Sequence, residues 1–181
     1  MIRTTLLSAS LLAIKERGLL DEYLRELSPE HRRYIESMVG MGWAPFEIGM
    51  AHYGALDRLR LSSTEQYEIG LEVGGRVNQS LIGTALRLAG EAGATPWTAL
   101  AQLPRLWTRM LDGGAVGLYQ LGPKDARLEL RGCPLARYAY CRNGWRGMIV
   151  GAVTPLCRRI FNNDIPELTD DNRYAMHAAW A

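Results

Sequence analysis

The chain has 181 residues, 48% of them apolar, enough to bury one substantial core and within the range of a single domain. Its 21 Lys and Arg against 19 Asp and Glu leave a net charge of +2, and no basic run is long enough to follow a phosphate backbone, so nucleic acid is set aside as a partner. The apolar N-terminal stretch meets Lys15, Glu16 and Arg17 well before the ~20 residues that a bilayer span requires, and Cys133, Cys141 and Cys157 form neither a CxxC pair nor a disulfide framework; the expectation is a cytoplasmic protein with no signal peptide and no membrane span.

Leu6, Leu7, Leu11, Leu12 and Ile14 recur at helical spacing and Gly18 supplies a stop, which predicts a first helix. A short second helix fits Leu19–Leu27. Ser28 followed by Pro29 is an N-cap with proline at the first helical position, so a third helix runs towards Met38 and ends at Gly40 and Gly42. Trp43-Ala44-Pro45 turns into a helix containing Phe46, Ile48, Met50, Tyr53, Leu56 and Leu59. Ser62 and Glu65 have capping-box spacing for a helix reaching towards Leu88, kinked at Gly74-Gly75. Thr95-Pro96 repeats the cap-then-proline device before Trp97–Met110, which Pro104 should break or bend.

At Gly113-Gly114 the period changes from that of a helix to that of a strand. Val116, Leu118 and Gln120 alternate with Gly117, Tyr119 and Leu121; turn residues Gly122–Asp125 follow; then Ala126, Leu128 and Leu130 alternate with Arg127, Glu129 and Arg131. This is a β-hairpin. A helix from Arg142 to Phe161, kinked at Pro155, aligns Trp145, Ile149, Ala152, Leu156 and Ile160 on one stripe and Gly144, Gly147 and Gly151 on a second ridge. Tyr174, Met176, Ala178 and Trp180 alternate as a final strand. The expected fold class is α+β: one domain over residues 1–181, with a helical subregion 1–112 packed on an antiparallel ββαβ subregion 113–181.

The most informative segment is 126–151, where a strand, a polar aromatic turn and a helix opening with arginines meet. Seven arginines lie between Arg127 and Arg159 with only Glu129 against them, which makes a local basic surface. Arg142 and Arg146 are one turn apart at a helix start whose free N–H groups favour an anion. With Tyr138 and Tyr140 as hydroxyl donors, they would hold the acidic head of an otherwise apolar ligand, and Trp107 and Trp145 would flank the pocket. The alternative, arginines in solvent and tyrosines capping the sheet, stands beside this one. Cations at a helix N-terminus oppose its dipole, so a bound anion or a carboxylate from elsewhere in the fold should offset them. Cys141 reads as a buried structural thiol ahead of a nucleophile, His52 as a satisfied helix-face histidine and His177 as a half-exposed sheet residue. Gly113-Gly114-x-x-Gly117 lacks the context of a phosphate loop, and no spacing predicts a metal site.

The order of elements resembles the fold shared by heme nitric-oxide/oxygen-binding domains, 4-vinyl-reductase domains of bacterial sensors and vesicle-tethering subunits that hold an acyl chain. Gly42-Trp43-x-Pro45, the Leu100–Trp107 pattern Leu-x-x-Leu-Pro-x-Leu-Trp and the Leu-Gly-Pro hairpin are similar to an uncharacterised paralogous family expanded in myxobacteria, over almost the whole chain. The heme-domain motif Tyr-x-Ser-x-Arg-x-Gly-Leu has its counterpart in Tyr138-x-Tyr140-x-Arg142-x-Gly144-Trp145. In that family the Tyr, Ser and Arg grip the heme propionates; here Tyr140 replaces the serine and Trp145 the leucine. The family's proximal histidine has no counterpart, since the histidines are His31, His52 and His177.

The resulting expectation is a bacterial sensory domain that holds a small apolar molecule with an acidic or polar head in a cavity between helices and sheet. No cofactor is expected, and a homodimer would cover the edges of a three-stranded sheet. Three alternatives are a small cyclase, isomerase or reductase using a tyrosine acid and a histidine base, a heme-binding gas sensor, and a structural adaptor with a solid core.

Overall fold

A computed structural model describes residues 1–38, 40–78 and 95–181, the side chains of 76–78 excepted. The helical half contains α1 (Thr4–Glu16), α2 (Leu20–Arg25), α3 (Pro29–Ser37), α4 (Phe46–Arg58), α5 (Ser63–Asn78), α6 (Pro96–Leu100) and α7 (Leu103–Met110). The expected caps are formed: Ser28 Oγ accepts from His31 N at 3.2 Å, and Ser62 N donates to Glu65 Oε2 at 2.7 Å while Glu65 N donates to Ser62 Oγ. The expected break falls at Ala101 and Gln102, between α6 and α7, and Pro104 sits in the first turn of α7. The stretch to Leu88 expected beyond α5 lies outside the described residues. The helical half also holds a small ribbon that periodicity could not show, β1 (Ile2–Arg3) paired antiparallel with β2 (Trp43–Ala44).

The second half is β3 (Ala115–Gly122), β4 (Asp125–Arg131), α8 (Ala139–Val153), β5 (Ile160–Asp164) and β6 (Arg173–Trp180), in one antiparallel sheet of order β3-β4-β6-β5. The α+β architecture, a helical half on an antiparallel sheet unit, is as expected, but the sheet has a fourth strand. Thr154-Pro155 closes α8 with a 3-10 turn where a kink was expected, and Ile160 begins β5. Ile160 also falls on the helical stripe, and Asn162, Asn163 and Asp164 are poor strand formers, so β5 carries almost no period-2 signal.

Leu128 pairs with Met176 and Leu130 with Tyr174, so β4 and β6 present one buried face, and Trp145 of α8 meets Tyr174 edge-on at 5.7 Å between ring centroids. On the opposite face Glu129 is only 2% exposed because Arg127 and Arg131 both pair with it.

Helix α8 also packs on α5 through glycines on both sides. A methyl group at Gly147 would fall on the Tyr67 carbonyl, one at Gly70 on the Gly144 carbonyl, and one at Gly151 would lie 2.8 Å from Leu71 O. The backbones therefore touch, and the buried pair Asn143 Nδ2–Gln66 Oε1, 2.8 Å, locks their register. Among the described residues no helix is long and apolar enough to cross a membrane.

Candidate functional site

Helix α8 starts three residues earlier than expected, and this decides which side chains share a face. Successive helical residues turn by about 100°, so Tyr140, Cys141, Gly144, Trp145 and Met148 form one stripe while Arg142 and Arg146 point elsewhere. That stripe lines a cavity of about 60 Å³ together with Leu6 and Ser10 of α1, Tyr53 of α4, Ile69 and Val73 of α5, and Trp107 and Met110 of α7. Among the described residues no charged side chain lines it. Its polar feature is a hydroxyl pair, Ser10 Oγ to Tyr140 Oη at 2.9 Å. Burial pushes the Tyr140 phenol up to about 12, against the opposing effect of the Ser10 hydrogen bond, so it stays a neutral donor. Tyr53 and Cys141 are likewise raised by burial, and Cys141 is a thiol without thiolate character.

Of the six residues singled out in the sequence, Tyr140, Trp145 and Trp107 line this cavity, whereas Tyr138, Arg142 and Arg146 do not. Arg142 Nη1 donates to the carbonyls of Ala136 and Arg137 at 2.7 and 2.9 Å, closing the 3-10 turn before α8. Arg146 Nη1 donates to Asp164 Oδ1 at 3.1 Å and its guanidinium lies 5.2 Å from the Tyr67 ring centre, tying α8 to β5. Tyr138 lies against Gly54 and lines a separate, open cleft of about 380 Å³ with Ser28, His31, Glu47, Met50 and Arg58.

The residue that sequence reasoning missed is Asp57. Its carboxylate accepts from Tyr140 N at 2.8 Å and Ala139 N at 3.3 Å, capping the start of α8 from the end of α4. Of the two ways to offset cations at a helix start, the chain uses its own carboxylate. No local signal marked it, because Asp57 precedes its partners by more than eighty residues and sits in an ordinary polar helix terminus.

The histidines lie outside the cavity. His52 is fully buried and shares a 2.8 Å hydrogen bond from Nδ1 with Tyr23 Oη, and its Nε2 has no partner among the described residues. Burial lowers its pKa to about 3. His177 pairs with Asp125 across β4 and β6, and His31 bridges Ser28 and Glu47. Among the described residues, no histidine bonds Tyr138 or Tyr140, and no three His, Cys, Asp or Glu side chains gather as a metal set.

No protein-family model matches the chain, and no curated protein matches it. Solved structures do. The Fe(II) unliganded H-NOX protein of K. algicida, in a single-residue variant, superposes with a TM-score of 0.71 at 9% identity over 99% of this chain and 97% of its own. The form without that substitution gives 0.66 at 10% identity over 99% and 97%. A mutant H-NOX of T. tengcongensis gives 0.57 at 12% identity over 97% and 96%. The chain therefore has the fold of heme-NO-binding domains; at these identities the likeness is one of fold.

The described residues do not suit the heme that this fold implies. The cavity has room for about four to six waters, far less than a porphyrin occupies, and the α5 and α8 backbones are in contact along its floor. No imidazole lines it, the Tyr138 and Arg142 side chains face away from it, and Asp57 already occupies the helix start.

Proposed function

We propose that the chain is a small-molecule-binding, sensor-type domain on the H-NOX fold that takes a compact apolar molecule without heme. The observation that carries this reading is the cavity itself: apolar walls with one hydroxyl pair, Ser10 and Tyr140, as the polar anchor. A void of this size costs a protein on the order of 1 kcal/mol, and apolar walls give water little reason to fill it. A purely structural core would gain by closing it, and Trp107 and Trp145 are large enough to do so. The cavity borders α1, α4, α5, α7 and α8, so an occupant there couples the helical half to the sheet unit. The reading includes a homodimer, formed over the sheet edges at β3 and β5. The enzymatic alternative gains no support, since the one fully buried histidine bonds Tyr23 and is too weakly basic to serve Tyr140.

Phenol and toluene are a matched pair with and without a hydroxyl. In calorimetric titrations phenol is expected to bind about fivefold tighter than toluene, the worth of one hydrogen bond of ~1 kcal/mol, and Tyr140→Phe is expected to erase most of that preference while leaving toluene binding intact. Leu6→Trp, which fills the cavity, should abolish both. Binding of both probes to the filled variant with unchanged affinity would place the ligand elsewhere and end this reading.

A further inference from the structure

We infer that the cavity selects neutral molecules, because the chain's own carboxylates and backbone carbonyls already hold the groups from which an acidic head would be read. This rests on the reading of the cavity as the ligand site and adds the chemical class of its occupant. Three groups on this corner could stabilise an anion, and each has an internal partner. The free N–H groups of Ala139 and Tyr140 are held by Asp57, Arg146 by Asp164, and Arg142 by the Ala136 and Arg137 carbonyls.

Within the cavity an ionised carboxylate would find, among the described residues, neutral hydroxyls (the Ser10–Tyr140 pair and Tyr53) and no cation in exchange for its hydration, which is an unfavourable trade. A neutral hydroxyl or carbonyl has no such charge to desolvate and meets both a donor and an acceptor. At the lining thiol of Cys141 burial is the largest cause of the raised pKa and the Asp57 charge adds to it, while the Arg142 charge, which favours an anion, outweighs Asp57 there. Desolvation therefore excludes an acidic guest, and Asp57 offsets part of the attraction that Arg142 would otherwise exert.

The test compares benzyl alcohol with benzoate, nearly equal in shape, by calorimetric titration at pH 7. The wild-type chain is expected to bind benzyl alcohol saturably and benzoate at least about thirtyfold more weakly. Asp57→Asn keeps an acceptor for the helix N–H groups but removes the charge, and is expected to narrow that gap about tenfold while benzyl alcohol affinity stays within about twofold. Asp57→Ser gives the same comparison with a different cap. Benzoate binding as tightly as benzyl alcohol, or a gap that neither Asp57 variant changes, overturns the selectivity while the cavity reading stands. Failure of both probes to bind overturns the cavity reading and this inference with it.

Discussion

Gly147→Ala is expected to destabilise the protein by about 3 kcal/mol or more, whereas Gly144→Ala, three residues away on the same helix, is expected to stabilise it by ~0.5–1 kcal/mol. Both changes add one methyl group to the interior of α8. At Gly147 the new methyl lands on the Tyr67 carbonyl and near Leu71 N, which are backbone atoms of α5 and cannot rotate away. The helices must separate, and separation stretches the buried Asn143–Gln66 hydrogen bond and unpacks the floor of the cavity. At Gly144 the methyl meets nothing within 4 Å, so only the gain in helix propensity remains. In thermal melts the two variants should move in opposite directions, with Gly147→Ala roughly 6–12 °C below wild type. Equal shifts would mean that α5 and α8 do not touch as described.

Acid should weaken the fold through His52. The imidazole is neutral in the folded chain, its pKa lowered to about 3 by burial, while in the unfolded chain it titrates near its ordinary value of 6.5. Above that value neither state is protonated and the group contributes no pH dependence. As pH falls from 6.5 towards 3, the unfolded chain binds a proton that the folded chain does not, so stability drops by up to ~1.4 kcal/mol per pH unit. Between pH 6.5 and pH 4.5 the loss is about 2–3 kcal/mol. His52→Gln, which cannot titrate, should be less stable than wild type at pH 7, because Tyr23 is poorly matched to the new side chain, yet should show a flatter urea midpoint over that window. Parallel pH profiles for the two proteins would show that His52 is not buried as a neutral ring.

The parts of this fold that the sequence reveals are those written in local chemistry. Ser28-Pro29, Ser62 with Glu65, and Pro104 mark helix ends because capping and proline geometry are decided within a few residues. The change of period at Gly113-Gly114 is legible because both glycines have positive φ, 123° and 70°, which side-chain-bearing residues rarely adopt. What was not legible depends on distance or on phase. Asp57 is invisible as a cap because its partners are on another helix. Tyr138 and Tyr140 look like a pair in the sequence, but once α8 begins at Ala139 a spacing of two residues turns them away from each other, one into the cavity and one into the outer cleft. Arg142 and Arg146 share a face, as their spacing requires, but that face meets the 3-10 turn and β5. The likeness to the heme-domain motif preserves the order of residues there, but the described residues around it leave no room for heme.

The most direct test of the central claim is a phenol titration followed through the methionine methyl signals of the protein. Met110 and Met148 line the cavity, whereas Met50 lines the outer cleft. An aromatic guest in the cavity should produce saturable ring-current shifts at Met110 and Met148 with Met50 unmoved; shifts at Met50 alone, or at none of the three, would contradict a ligand site behind Tyr140.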